Sequence, residues 1–280
     1  MGSFLSQKQW ALSHLILFGV LVLVALQFAK MTDTRLKLSF LDIGQGDAIL
    51  IQTPNHHNIL VDAGPDSTVV DRLGETLGFF DKTIDLFVTT HPDKDHYAGI
   101  LDVLGPYHVR QVMMTGLLSE GALYRSFVDA LKAHAVPVVF ANNHQDIQLG
   151  PNLYLDVLFP LAEENWVGKT VQNKNNTSIV ARLVRGGKSL AMLTGDAESP
   201  EEREIMLAGQ EVASTILKLG HHGSRSSTSP EWLKAVHSTT VVVSAGRNNQ
   251  YGHPHPETME RVKDLEVRST QKEGTVSLSF

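Results

Sequence analysis

The chain has 280 residues, 42% of them hydrophobic, a length that allows one large domain or two small ones. With no cysteine, disulfides, thiolate metal ligands and a cysteine nucleophile are excluded, so any metal site must be built from histidine and carboxylate. The net charge of −6 excludes nucleic-acid binding through overall positive charge and leaves only a local basic groove open.

Residues 1–9 are a short tail. Residues 10–29 follow with only Ser13, His14 and Gln27 strongly polar. As a helix that run spans roughly 30 Å of hydrocarbon and reads as a single transmembrane anchor. A cleaved signal peptide is the competing reading. Cleavage after Ala29 would put Gln27 where a small residue is needed, which favours the anchor. Lys30, Arg35 and Lys37 follow the run, partly offset by Asp33, and lean towards a cytoplasmic C-terminal side.

Residues 36–280 read as one domain. Leu36, Leu38 and Phe40 alternate as in a strand that enters the loop 42–47. Strands at 48–52 and 58–62 form a hairpin around 54–57. A helix at 68–77, a strand at 84–88, a polar loop and a helix at 97–104 come next. The alternation continues with a strand at 109–113, a helix at 122–132 and a strand at 136–140. A second half begins with strand 153–159. Strands at 178–184 and 189–193 pair across the tight turn Arg185-Gly186-Gly187-Lys188. Helix 200–208, strand 215–219, helix 230–235, strand 240–244, helix 256–265 and a closing strand at 275–280 complete the chain. Each half has a hairpin ending in an Asp-bearing turn, then a helix, then a strand ending in a His-rich loop. That order predicts two facing sheets with helices outside and the site at their shared edge.

The densest chemistry is Thr89-Thr90-His91-Pro92-Asp93-Lys94-Asp95-His96, a strand-to-helix turn where α/β proteins place their sites. His91 and Asp93 are two apart and point the same way in extended backbone. With Asp95 and His96, four donors on one loop can serve two metal ions. Pro92 stiffens that loop. This His-x-Asp-x-Asp-His pattern resembles the metal motif of the metallo-β-lactamase superfamily, usually His-x-His-x-Asp-His. Asp at the second position resembles the branch of the ComEC DNA-uptake proteins and their stand-alone relatives. The stretches Phe40-Leu41-Asp42-Ile43-Gly44-Gln45-Gly46-Asp47-Ala48, Leu193-Thr194-Gly195-Asp196 and Gly220-His221-His222-Gly223-Ser224 extend the resemblance in order. It covers residues 36–280 and implies a four-layer αββα sandwich following the N-terminal transmembrane helix. It also implies an extracytoplasmic placement of the domain, against the charge lean, and extracytoplasmic is the expectation adopted.

The expected metal ligands are His91, Asp93, Asp95, His96, Asp196, His221 and His253, holding two divalent ions, Mn²⁺ or Zn²⁺. Asp196 ends an apolar strand, and the family uses the matching Asp to bridge both cations. A helix cap is its bland alternative. Adjacent histidines on a strand end point apart, so one of His221 and His222 ligates. His221 is taken as the ligand and His222, with Asp95, as a catalytic contact, the reverse staying open. His253 lies on the proline-stiffened loop Tyr251-Gly252-His253-Pro254-His255-Pro256. Asp42, Gln45, Asp47 and Asp62 are expected to orient ligating histidines. Asn176, Ser178, Asn249 and His255 are expected to hold a ligand water or substrate. Many relatives carry another His where this chain has Asn175-Asn176-Thr177-Ser178, which puts the filling of the first metal position in question.

The function expected is phosphoester hydrolysis by two metals, which lower the pKa of a bridging water and clamp an in-line displacement. Three carboxylate ligands shift such a site towards Mn²⁺. The resemblance implies single-stranded DNA as substrate during uptake, with a separate membrane channel protein as partner. A surface phosphodiesterase acting on wall or lipid phosphate, such as phosphorylcholine, is the alternative enzyme. A membrane-tethered, non-catalytic binding module is the alternative of another class; donors crowded together without metal would repel one another.

Overall fold

Alternating apolar strands require two covered faces, and the chain supplies them by stacking sheets. The computed structural model describes residues 7–31, 33–143 and 146–280, so residues 1–6 of the expected tail lie outside the described residues. One seven-stranded sheet has the order Val276–Ser279, Lys37–Phe40, Ile49–Gln52, Asn58–Val61, Leu86–Val88, Val112–Met114, Val138–Phe140. The other has the order Glu266–Ser269, Thr240–Val243, Ile216–Lys218, Lys188–Leu193, Val180–Arg185, Leu153–Phe159, Asp146–Gly150. Each sheet is antiparallel at the hairpins and parallel where helices cross over.

Three apolar layers hold this together. Phe40, Ile51, Val88, Leu155, Leu183 and Val242 fill the space between the sheets. Phe87 and Leu60 of the first sheet pack on Leu73, Ile100 and Phe127 from the helical side. Leu217 and Val241 of the second sheet pack on Ile205, Trp232 and Val262. The result is the αββα order. The turn at Gly186 and Gly187 has φ of 59° and 76°, both positive, as a two-residue hairpin of matching twist needs.

Three differences from the sequence reading stand out. The Glu266–Ser269 strand adds parallel to Thr240–Val243, whereas helical pattern suggested a helix to 265; the helix stops at Arg261. The Asp146–Gly150 strand forms a hairpin with Leu153–Phe159 that the sequence reading passed over. The expected anchor falls on the helix Gln7–Met31, whose large apolar side chains from Trp10 to Val24 stand exposed. Among the described residues, however, no helix is long and apolar enough to cross a membrane. The single-pass anchor is therefore not supported.

The strands of both sheets deliver their C-terminal ends to one edge. Asp62 follows Asn58–Val61, the metal loop follows Leu86–Val88, Asp196 follows Lys188–Leu193 and the paired histidines follow Ile216–Lys218. Gly46 lets the 42–47 loop close over this edge. Its φ is +122°, and a Cβ there would lie 2.2 Å from the Asp95 carbonyl oxygen. Gly46→Ala is expected to destabilise the protein by at least about 1 kcal/mol, since alanine is strained at positive φ and the clash adds to that. Urea unfolding of the two proteins checks this.

Candidate metal centre

Asp62 is the buried organiser of the first half of the site. It sits at φ 58°, in the left-handed region that Asp tolerates, directly after its strand. Its Oδ1 accepts from the Thr90 amide at 2.8 Å and its Oδ2 from the Thr90 hydroxyl at 2.8 Å. The same Oδ2 accepts from His96 Nδ1 at 2.8 Å. This fixes the His96 ring so that Nε2 faces Asp196, with Oδ2 at 3.2 Å. His91 is fixed on its Nδ1 side by the Thr90 hydroxyl at 3.1 Å and the Ser178 hydroxyl at 3.3 Å. Ser178 also accepts from the Asp196 amide at 3.2 Å, tying the two halves together.

His222 closes the cluster from the second half. Its Nδ1 donates to the Ser244 carbonyl at 3.0 Å, and its Nε2 lies 3.3 Å from Asp196 Oδ2 and 3.4 Å from Asp95 Oδ2. His221 and His222 both have left-handed backbone, φ 45° and 54°. Such residues cost of order 1–3 kcal/mol each and persist where the surroundings demand them. The turn buries the His222 ring and leaves a quarter of the His221 side chain exposed. His221 Nδ1 pairs with Glu198 Oε1 at 2.9 Å, and its Nε2 lies 3.8 Å from Asp196 Oδ2.

Charge here is strongly coupled. Burial works against charge on His96 and His222, but the Asp196 carboxylate, with Asp62 and Asp47, outweighs it and holds both rings well above the ordinary imidazole range. Burial likewise opposes charge on Asp196, and the His222 and His96 rings overcome it, holding the carboxyl well below its ordinary range. His91, buried and beside His96, is pushed down to about 3, a neutral ring with a free lone pair. His253 is pushed down to about 4 by burial and by the neighbouring histidines.

The donor set fits divalent metal. His91 Nε2, His96 Nε2 and His222 Nε2 are buried without a hydrogen-bond partner. Buried polar atoms are rarely left so, and imidazole with carboxylate is the chemistry of hydrolytic metal ions. Among the described residues, donor atoms converge in the groups His91–His96–Asp196 and Asp95–His96–His222. Asp47 joins Asp196 and His222, or Asp62 and His96, in two further groups.

The other expected residues are placed as follows. Asp93 lies at the lip, its Oδ2 3.7 Å from His91 Nε2 and its Oδ1 2.6 Å from Lys174 Nζ. The His253 ring stacks edge-on 5.1 Å from His221 and is not in the converging groups. Gln45 accepts from the Gly246 amide at 3.1 Å, joining the two halves, while Asp42 caps Gly44 and holds Arg72 through its carbonyl. Asn249 spends its amide on Gly246 and His253, Asn176 accepts from Asn173, and His255 accepts from the Arg225 amide. Sequence reasoning missed Lys218, Glu198 and Asn175. Lys218 gave one signal, a lone cation inside the apolar run before the histidines. Asn175, whose Nδ2 lies 3.3 Å from His221 Nδ1, stood in the stretch where relatives carry another His but was given no role, and Glu198 gave no signal.

The family profile described as Metallo-beta-lactamase superfamily matches residues 41–247, and the chain belongs to that superfamily. It is 29% identical over 265 residues to ComE operon protein 3 of Bacillus subtilis (strain 168), covering 87% of this chain and 33% of that protein. It is 27% identical over 244 residues to Competence protein ComA of Neisseria gonorrhoeae, covering 85% and 31%. The chain thus spans about a third of the length of these relatives, which are ComEC-like competence proteins. The solved metallo hydrolase Igni18 from Ignicoccus hospitalis KIN4/I shares the fold, with a TM-score of 0.56 at 17% identity over 88% of this chain and 99% of that one. The protein is therefore a metallo-hydrolase of this superfamily with a divalent-metal site.

Because Asp62 sets the direction of His96, Asp62→Asn is expected to weaken metal binding 10–100-fold, roughly the effect of losing a group that orients a ligating histidine. Competition with a fluorescent chelator measures it.

Proposed function

We propose that the chain is a two-metal phosphodiesterase acting on single-stranded DNA. The observation that carries this is the convergence of three partnerless imidazole nitrogens, on His91, His96 and His222, around one buried carboxylate, Asp196. In this reading His91, Asp93 and Asp196 hold one ion, and Asp95, His96, His222 and Asp196 hold the other. Bound divalent ions of this kind activate water and neutralise charge on a phosphoryl group. The carboxylates Asp93, Asp95 and Asp196 harden the donor set and favour Mn²⁺ over a purely imidazole site. The name of Competence protein ComA supports a role in competence. Single-stranded DNA as substrate and a separate membrane channel protein as partner belong to this proposal alone.

The chain's own groups do the rest. Asp62, Ser178 and the Ser244 carbonyl hold the three rings before substrate arrives, so little reorganisation is left for the reaction. His221, held by Glu198 and a quarter exposed at the lip, faces substrate in this reading. His222, buried, is assigned as the ligand, reversing the choice made from the sequence.

Two tests follow. Asp196→Asn keeps size and removes charge, and is expected to lower turnover of a chromogenic phosphodiester and of single-stranded DNA by at least ~10²-fold with Mn²⁺ present. Equal turnover with unchanged metal content would refute the assignment. Elemental analysis then separates the histidines: His222→Ala is expected to lose one ion per chain, and His221→Ala to keep both.

A further inference from the structure

Beneath the donor cluster lies a cation that the reaction as described does not use. Lys218, the last residue of its strand, is fully buried. Its ammonium donates to the Gly195 carbonyl at 2.8 Å, pairs closely with Asp47 Oδ2, and lies 3.8 Å from Asp196 Oδ1. Of its three donors, two serve the Gly195 carbonyl and Asp47, while Asp196 Oδ1 is an ion-pair neighbour beyond hydrogen-bond range.

The two carboxylates it touches are the ones whose roles the geometry otherwise leaves open. Asp196 Oδ2 faces the ring nitrogens of His96, His222 and His221 at 3.2, 3.3 and 3.8 Å, whereas Oδ1 faces Lys218. Asp47 is fully buried beneath both rings, its Oδ1 3.5 Å from His222 Nδ1 and its Oδ2 4.0 Å from His96 Nδ1. Its position with Asp196 and His222 makes it a ligand in waiting. Burial of its charge is opposed first by Lys218.

We propose that Lys218 is a positioning residue, a built-in third cation that reserves Asp47 and Asp196 Oδ1 for itself and leaves Oδ2 as the single Asp196 oxygen offered to metal. The inference rests on the two-metal reading above. It explains why a lysine, costly to bury, ends an otherwise apolar strand. Asp196 would then meet a bound ion through Oδ2, with Lys218 behind it at Oδ1.

The test uses the full chain loaded with Mn²⁺. Lys218→Met removes the cation and frees the Asp47 charge, so Mn²⁺ affinity by titration calorimetry is expected to rise at least ~10-fold, the direction Coulomb attraction dictates. Lys218→Arg is expected to stay within a few-fold of wild type. Because Lys218→Met leaves a buried carboxylate unpaired and so risks misfolding, Lys218→Met/Asp47→Asn provides the second measurement. That pair keeps the net charge and is expected to change the exchange coupling of the manganese pair in electron paramagnetic resonance, because Asp196 Oδ1 is no longer held. A lysine that merely fills space would move neither affinity nor coupling, and unchanged values in folded variants overturn the proposal. A wild-type chain that binds manganese but cleaves no phosphodiester sinks the functional reading alone. A wild-type chain that binds no metal sinks both.

Discussion

The structure turns on one buried carboxylate. Asp196 is almost wholly withdrawn from water, yet it faces two imidazole nitrogens from opposite halves of the molecule and an ammonium from below. An isolated buried charge of that kind is very unfavourable, so each partner must be held in place by its own support. Asp62 supports His96, the Ser244 carbonyl supports His222, Asp47 and the Gly195 carbonyl support Lys218. Removing any one of these leaves a neighbour unpaired in a dry environment.

The fold supplies the geometry such a cluster requires. Parallel strands from two sheets end at a shared edge, so residues from distant parts of the sequence meet without long loops. The 42–47 loop packs on the metal loop through the Asp47 amide and Asp95 carbonyl, at 3.2 Å, and joins the second half through Gln45. The edge is rigid because its supports are backbone and short polar side chains with few rotamers to lose. The partly exposed Lys174–Asp93 pair sits at the lip.

Much of this was legible in the sequence, and for physical reasons. Alternation from Leu36 to Phe40, the Gly186–Gly187 turn and the polar loop after Leu86–Val88 reflect local preferences that the structure keeps. The spacing of His91 and His96 and the carboxylate at Asp196 marked a donor set because that chemistry is dense and short-range. The choice between His221 and His222 was not legible. Alternation along a strand predicts rings pointing apart, but both residues adopt left-handed backbone, a tertiary demand that no local propensity announces. Glu198 escaped notice because its partner, His221, is distant in sequence. The Glu266–Ser269 strand escaped because it has four residues, one of them strongly apolar, and so shows no alternation to read. The helix Gln7–Met31 shows the opposite failure, where an apolar run suggested a span that the described residues do not support.

On the proposed two-metal reading, Asp196 would serve both an ion on the His91 side and one on the His222 side. Anomalous diffraction from a manganese-loaded crystal of the chain tests it directly. The account predicts two anomalous peaks, each within bonding distance of Asp196 Oδ2, with Lys218 still on Oδ1. A single peak, or two peaks of which one makes no contact with Asp196, would contradict it.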